Sequence, residues 1–430
     1  MLLRARIVLP LSRPPIADGA VLISGNRIAA VGRWSELSLV AGAPVTDLGS
    51  VILLPGLVNG HCHLDYTDMS GQPAPKRFPD WIKGLLARKA AATYGDYAQA
   101  WLRGAAMLVR TGVTTVGDIE AIPELLPDVW ASTPLRVVSF LEMTGVASGR
   151  DPGAIVQEAA VKIAALKTGR GFVGLSPHAL YSTTPELLRT TAQISLKRGW
   201  RVTMHVAESI DEFEMCVHRR GMFFEWLKSQ RDMSDCGHGS PVEQVGRSGL
   251  LSDRFLAVHA NYLEAEDVEA LARTQSSVVH CPRSHEYFRH QRFPYSELAA
   301  ARVNVCLGTD SLASVIPARP PGPELNLFTE MQTFARANPG VAPVEILRMA
   351  TLNGARALGW QGRIGEISEN SFADLITIPY DGKIEEADAA VFGHRGDVAA
   401  SMMDGKWVSF AGALPPGASL PLGPSGFLRK

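Results

Sequence analysis

Cysteine is scarce and scattered in this chain of 430 residues, with five in all, at positions 62, 216, 236, 281 and 306. An odd, dispersed set suits reduced thiols better than a disulfide framework, and no Cys-x-x-Cys spacing offers a structural zinc site. Charge of one sign is lacking too: 42 Lys and Arg against 43 Asp and Glu leave a formal net charge of −1. That balance provides neither a basic field for nucleic acid nor an acidic tail, and favours a small-molecule substrate. No apolar run approaches the roughly 20 residues needed to cross a membrane. The segment Met1-Leu2-Leu3-Arg4-Ala5-Arg6 has neither a long apolar stretch nor a cleavage signature, so a cytoplasmic location is the default expectation. Core material is plentiful, since 46% hydrophobic and 20% charged residues suffice for a large core and a small satellite domain.

The segment Leu54-Pro55-Gly56-Leu57-Val58-Asn59-Gly60-His61-Cys62-His63 is a strand-like apolar run that ends in two histidines one residue apart. Strand side chains alternate between faces, so His61 and His63 project together and Cys62 points away. Two same-face imidazoles can hold one divalent metal, although a lone His-x-His also arises by chance. Further histidines and acids recur where other Val-rich runs give out, at His205 and Glu208, His259 and Asp310. Strand candidates end near His63, Asp118, Glu142, His178, His205, His259, Pro282 and Asp310. Between and after them lie helical patterns, at Pro185 to Arg198, Asp211 to Ser229, Ala265 to Arg273, Tyr295 to Ala301 and Glu324 to Asn338. This alternation predicts an α/β fold, a (β/α)8 barrel of the TIM type, whose polar residues collect at the strands' C-terminal ends. Its expected extent is 55–364.

These motifs resemble the amidohydrolase superfamily, in its branch of mononuclear-metal deaminases and chlorohydrolases related to cytosine, guanine, S-adenosylhomocysteine and aminodeoxyfutalosine deaminases. The resemblance rests on the Pro55-to-His63 run, the His205-x-x-Glu208 pair, His259, the Val279-to-Ser284 stretch and Gly308-Thr309-Asp310-Ser311. It implies that His61, His63, His205 and Asp310 bind one divalent metal ion, zinc before iron or manganese, while Glu208, His259 and Asp310 handle protons. Binuclear relatives carry a lysine at the end of the fourth strand, but here that strand reads Gly171-Phe172-Val173-Gly174-Leu175-Ser176-Pro177-His178, so a single metal is expected.

The chemistry follows from the side chains as well. Three neutral imidazoles and a carboxylate leave an ion net positive and able to lower the pKa of a bound water towards about 7. Glu208 could take that water's proton and return it to a ring nitrogen, provided the backbone leaves strand geometry after His205, because a residue three positions on would otherwise face away. His259 would steady the developing alkoxide. Taken singly, His205 and His259 also read as structural histidines and Asp310 as a turn or N-cap residue. His280 reads as packed, and His218 and His394 as surface residues.

Candidate substrate contacts are Trp81, His178, Glu142, Arg283 and His285. Trp81 is either an aromatic wall for a purine or the buried face of the following helix. His178 lies where related deaminases touch the ring or sugar, and Glu142 ends the third strand. Arg283 and His285, in a stretch where many relatives carry Ser-Asn, are candidate donors to a ribose, phosphate or carboxylate, or else solvent-facing. Alternating runs in residues 1–54 and 365–430 read as hairpins, which in the superfamily pair into one composite β-sandwich domain from both termini. The Pro/Gly-rich tail from Pro415 reads as an irregular extension. The expected function is metal-dependent hydrolytic deamination of an aminated heterocycle, with an adenine-type nucleoside favoured: adenosine, a 5′-thio derivative, S-adenosylhomocysteine or aminodeoxyfutalosine. Hydrolysis of a cyclic amide, dechlorination of a triazine, and a non-catalytic scaffold are the alternatives. The resemblance also suggests a homo-oligomer.

Overall fold

A computed structural model describes residues 1–39, 42–72, 77–146, 149–317 and 322–410; the tail from Pro415 lies outside them. Among the described residues sixteen strands run in chain order: β1 Leu2–Val8, β2 Ile16–Ser24, β3 Arg27–Arg33, β4 Val45–Asp47, β5 Val51–Pro55, β6 Leu57–Cys62, β7 Val113–Glu120, β8 Arg136–Met143, β9 Phe172–Pro177, β10 Val202–Val206, β11 Phe255–His259, β12 Ser277–His280, β13 Asn304–Leu307, β14 Leu375–Pro379, β15 Ala400–Met403 and β16 Lys406–Phe410.

Strands β6 to β13 pair in sequence order, all in parallel. The ends of that sheet meet where Cys62 bridges Asp310 and where the His61 carbonyl accepts from the amides of Thr309 (3.0 Å) and Asp310 (3.2 Å). Strands buried on both faces carry continuous apolar runs rather than alternation, and β6, β7 and β11 are buried at every position. Val58, Val138, Phe140, Leu256, Val258 and Val279 belong to one buried apolar cluster. The barrel is therefore a packed core, and its chemistry is left to the C-terminal strand ends.

The helices follow the expected pattern with one correction. Pro185–Arg198 forms as anticipated, opened by the Thr184 hydroxyl on the Leu187 amide and closed by Gly199 at φ +70°, the left-handed stop that glycine adopts without strain. The single helix anticipated from Asp211 to Ser229 is instead two, Ile210–His218 and Met222–Leu227, because Arg219 (φ +54°) and Gly221 (φ +92°) break the helical path between them.

The remaining strands form one further sheet in the order β16-β15-β14-β5-β1-β2-β3, with β4 on β1. Its centre is the antiparallel pair β5–β14, with Leu54 opposite Ile376, so the two termini share a unit although they lie far apart in the chain. Arg136, at the first position of β8, fastens this sheet to the barrel. Its guanidinium bonds Asp374 (3.0 Å) and Asp404 (2.9 Å) and lies 3.9 Å from the Phe372 ring centre. This clamp is at the opposite end of the strands from the histidines.

Candidate metal centre and substrate cavity

His61 is the next-to-last residue of β6, His63 sits one residue past its end, His205 comes from β10 and Asp310 from the turn after β13. Asn59 ties that turn to β6, accepting from the Thr309 amide (3.1 Å) and donating to the Thr309 hydroxyl (2.8 Å). Asp310 itself has φ +52°, which turns its carboxylate towards the histidines, and Ser314 Oγ donates to its Oδ2 at 2.8 Å. His63 Nε2 and His205 Nε2 are 3.3 Å apart, and Asp310 Oδ1 lies 3.6 Å from His61 Nε2 and 3.7 Å from His63 Nε2. Ligands 2.0–2.2 Å from a tetrahedral ion stand roughly 3.3–3.6 Å from one another, so these separations fit a divalent metal.

Two further observations fit such an ion. All four side chains are buried, yet neither nitrogen of His61 has a hydrogen-bond partner, an unusual state for a buried polar atom and one that a bound metal would relieve at the ligating nitrogen. His205 Nδ1 donates to the His178 carbonyl at 3.0 Å, which assigns its proton there and leaves Nε2 free to ligate. Burial, reinforced by His61, pushes the His63 imidazole down to about 3, and burial followed by His178 holds His205 well below its usual range; ligating histidines must be neutral. Burial disfavours the Asp310 carboxylate, but His61 beside it, then His259 and His63, hold it ionised well below the ordinary carboxylate range.

Glu208 and His259 adjoin these groups. The departure from strand geometry that Glu208 requires occurs at Ala207, φ +52°. Its Oε1 then lies 3.4 Å from His259 Nε2, while the Glu208 amide donates to Glu212 Oε2 at 2.9 Å and its carbonyl accepts from Asn261 Nδ2 at 2.9 Å. Burial raises the Glu208 carboxyl well above its usual range, with Asp310 and Glu212 adding to the effect. Among the described residues two overlapping groups bring ligand atoms within 4.8 Å of one another, His61–His63–His205 and His61–His259–Asp310.

The site floors a cavity of about 210 Å³ to which His63, His205, Glu208, His259 and Asp310 all contribute. Trp81, Glu142 and His178 stand on its walls. Trp81 is buried on the helix Phe78–Ala91 and donates from Nε1 to the Ala313 carbonyl (3.2 Å), and it also lines the cavity. His178 is steadied by Ser182 Oγ, 2.7 Å from its Nδ1. Tyr66, Lys89, Tyr181 and Trp226 also line the cavity and were not singled out from the sequence. Trp81, Leu85 and Lys89 recur at a spacing of four along one helix, a periodicity that could have pointed to Lys89.

Arg283 and His285 require correction. The residues after β12 form the helix Pro282–Phe288 rather than a pocket loop, and neither residue lines the cavity. Arg283 is buried, with Nε 2.5 Å from Glu330 Oε1 and its amide 2.9 Å from Oε2, so its charge is spent on a core carboxylate. His285 instead packs edge-on near His280 (5.3 Å between ring centres) and His290 (5.4 Å). His280 stacks on Phe293 at 3.8 Å, the packed role expected of it. His218 is exposed and His394 half-buried against Phe328.

Residues 52–408 match the Amidohydrolase family. The chain belongs to that family. Among similar family members, a 5-methylthioadenosine/S-adenosylhomocysteine deaminase of Syntrophobacter fumaroxidans is 30% identical over 376 residues, 84% of this chain and 80% of the relative. A 5′-deoxyadenosine deaminase of Methanothermobacter thermautotrophicus is 29% identical over 374 residues, 84% of this chain and 81% of the relative. The fold is shared with Helicobacter pylori aminofutalosine deaminase, solved with methylthio-coformycin, at a TM-score of 0.84 and 20% identity over 95% of this chain and 100% of that one. No helix among the described residues is long and apolar enough to cross a membrane.

Proposed function

We propose that this chain is a hydrolytic deaminase that releases ammonia from an adenine-type nucleoside, with one zinc ion held by His61, His63, His205 and Asp310. The observation that carries the reading is the convergence of these buried groups beside the Glu208–His259 pair, on the floor of a cavity with aromatic walls. Relatives named for methylthioadenosine and 5′-deoxyadenosine support the same substrate class. Zinc suits a set of three nitrogens and one oxygen. When bound, the ion supplies a water acidified towards a pKa of about 7.

Glu208 would take a proton from the attacking water and deliver it to the ring nitrogen beside the carbon under attack. A carboxyl drawn towards its protonated form by burial is suited to alternate between base and acid. His259 steadies the oxygen that develops on the carbon, and Asp310 accepts the second proton, which departs with ammonia. Trp81 stacks on the base, while His178 and Glu142 reach its edge or the sugar.

The test is a library of purine and pyrimidine nucleosides, bases and chloro-triazines, assayed for ammonia and chloride alongside elemental analysis. Ammonia from adenine nucleosides by protein carrying about one zinc per chain is the expected result. Chloride release without ammonia would reassign the reaction, and inactivity of fully metallated protein on every compound would overturn the reading.

A further inference from the structure

Trp81, Leu85 and Lys89 share one face of the helix Phe78–Ala91, since residues four apart are neighbours on a helix, and all three line the cavity. The first two present carbon, whereas Lys89 brings an ammonium. Its Nζ is bonded to the Tyr66 hydroxyl and lies 3.7 Å from Glu142 Oε2. Glu142 Oε1 in turn lies 3.8 Å from His178 Nε2. This chain of contacts is anchored at both ends on the metal centre: the Tyr66 ring stacks on His63 at 4.9 Å, and the His178 ring lies 4.8 Å from His205. Lys89 and Glu142 thus stand one aromatic side chain away from the groups that would hold the ion.

Separations of 3.7 and 3.8 Å exceed hydrogen-bond length, so both Glu142 oxygens keep lone pairs to offer. An ammonium has three donors, of which Tyr66 engages one. Donors and acceptors of opposite charge therefore sit side by side on one cavity wall. An ionised substituent would be attracted by one and repelled by the other, but a vicinal diol, which both donates and accepts, satisfies both.

We propose that Lys89 and Glu142 form a sugar-reading pair, in which Glu142 accepts from the 2′- and 3′-hydroxyls of the nucleoside while Lys89 donates to one of them and holds the carboxylate in place. Lys89 is then a specificity-determining residue that separates ribonucleosides from their deoxy counterparts and from the free base. This rests on the adenine-nucleoside reading above and adds to it how the sugar is recognised.

The experiment compares ammonia release from adenosine, 2′-deoxyadenosine, 3′-deoxyadenosine and adenine. In the wild type, loss of either hydroxyl lowers kcat/KM about tenfold or more, because a site built to pair a hydroxyl rejects the analogue without it. Lys89→Met raises KM for adenosine by about the same factor, leaves kcat and metal content little changed, and brings the ribose-to-deoxyribose ratio towards one; Lys89→Arg restores part of the ratio. Equal wild-type kcat/KM for adenosine and both deoxy analogues would overturn the pair while leaving deamination intact, and this comparison needs no variant to fold. An unchanged ratio in Lys89→Met, or a fall in kcat with KM constant, would also overturn it. Wild-type protein inactive on all four compounds and on 5′-methylthioadenosine and 5′-deoxyadenosine would refute the nucleoside reading, and the pair with it.

Discussion

Replacing Glu208 by Gln keeps the size and hydrogen-bonding reach of the side chain and removes its ability to carry a proton. The local backbone is held independently, by the Glu208 amide on Glu212 Oε2 and the Glu208 carbonyl on Asn261, both at 2.9 Å, so the variant should fold with the site in place. A positioned general acid–base contributes about 10²- to 10⁴-fold, which at about 1.4 kcal/mol per factor of ten is roughly 3–5 kcal/mol of transition-state stabilisation. The loss should appear in kcat, with KM little moved. Metal content should stay at the wild-type level, because Glu208 belongs to neither group of converging ligand atoms. A coupled ammonia assay on the best nucleoside, with elemental analysis of the same preparation, measures both quantities. Activity within about tenfold of wild type would refute the proton-transfer role, and loss of metal would make Glu208 a ligand instead.

His61→Ala or His63→Ala should leave the protein folded but largely metal-free and inactive, and a chelator should inactivate the wild type until metal is restored; full activity in either variant would exclude that histidine as a ligand. Arg283→Met should leave kcat/KM nearly unchanged yet lower stability by about 3–5 kcal/mol, since it strands the buried Glu330 carboxylate; a selective rise in KM measured beside the melting curve would return Arg283 to the substrate. Gly171→Ala should be among the most damaging changes in the barrel, because a Cβ there would lie 1.5 Å from the Val137 carbonyl oxygen and β8 and β9 would have to part. A loss above about 4 kcal/mol in denaturant unfolding is expected, and a near-neutral effect would contradict the β8–β9 register.

The order of the eight barrel strands and the residues at their tips were legible in the sequence, because strand ends are local events: an apolar run stops, and a His, Glu or Asp stands where it stops. The residue types that converge at those tips were legible for the same reason. Distance was not. That His63 Nε2 and His205 Nε2 come within 3.3 Å, 142 residues apart, depends on barrel closure through Cys62, Thr309 and Asp310. Sequence position also misled where a charged side chain had two possible destinations. Arg283 follows a strand end, as pocket residues do, but Glu330 on a later helix takes its charge. Lys89 lay unremarked on a helix until folding set its ammonium beside Glu142, from a strand end 53 residues on. Periodicity and turn chemistry are written into neighbouring residues and so belong to the sequence alone, whereas which charges meet is settled by packing between segments distant in the chain, and only the tertiary structure decides that.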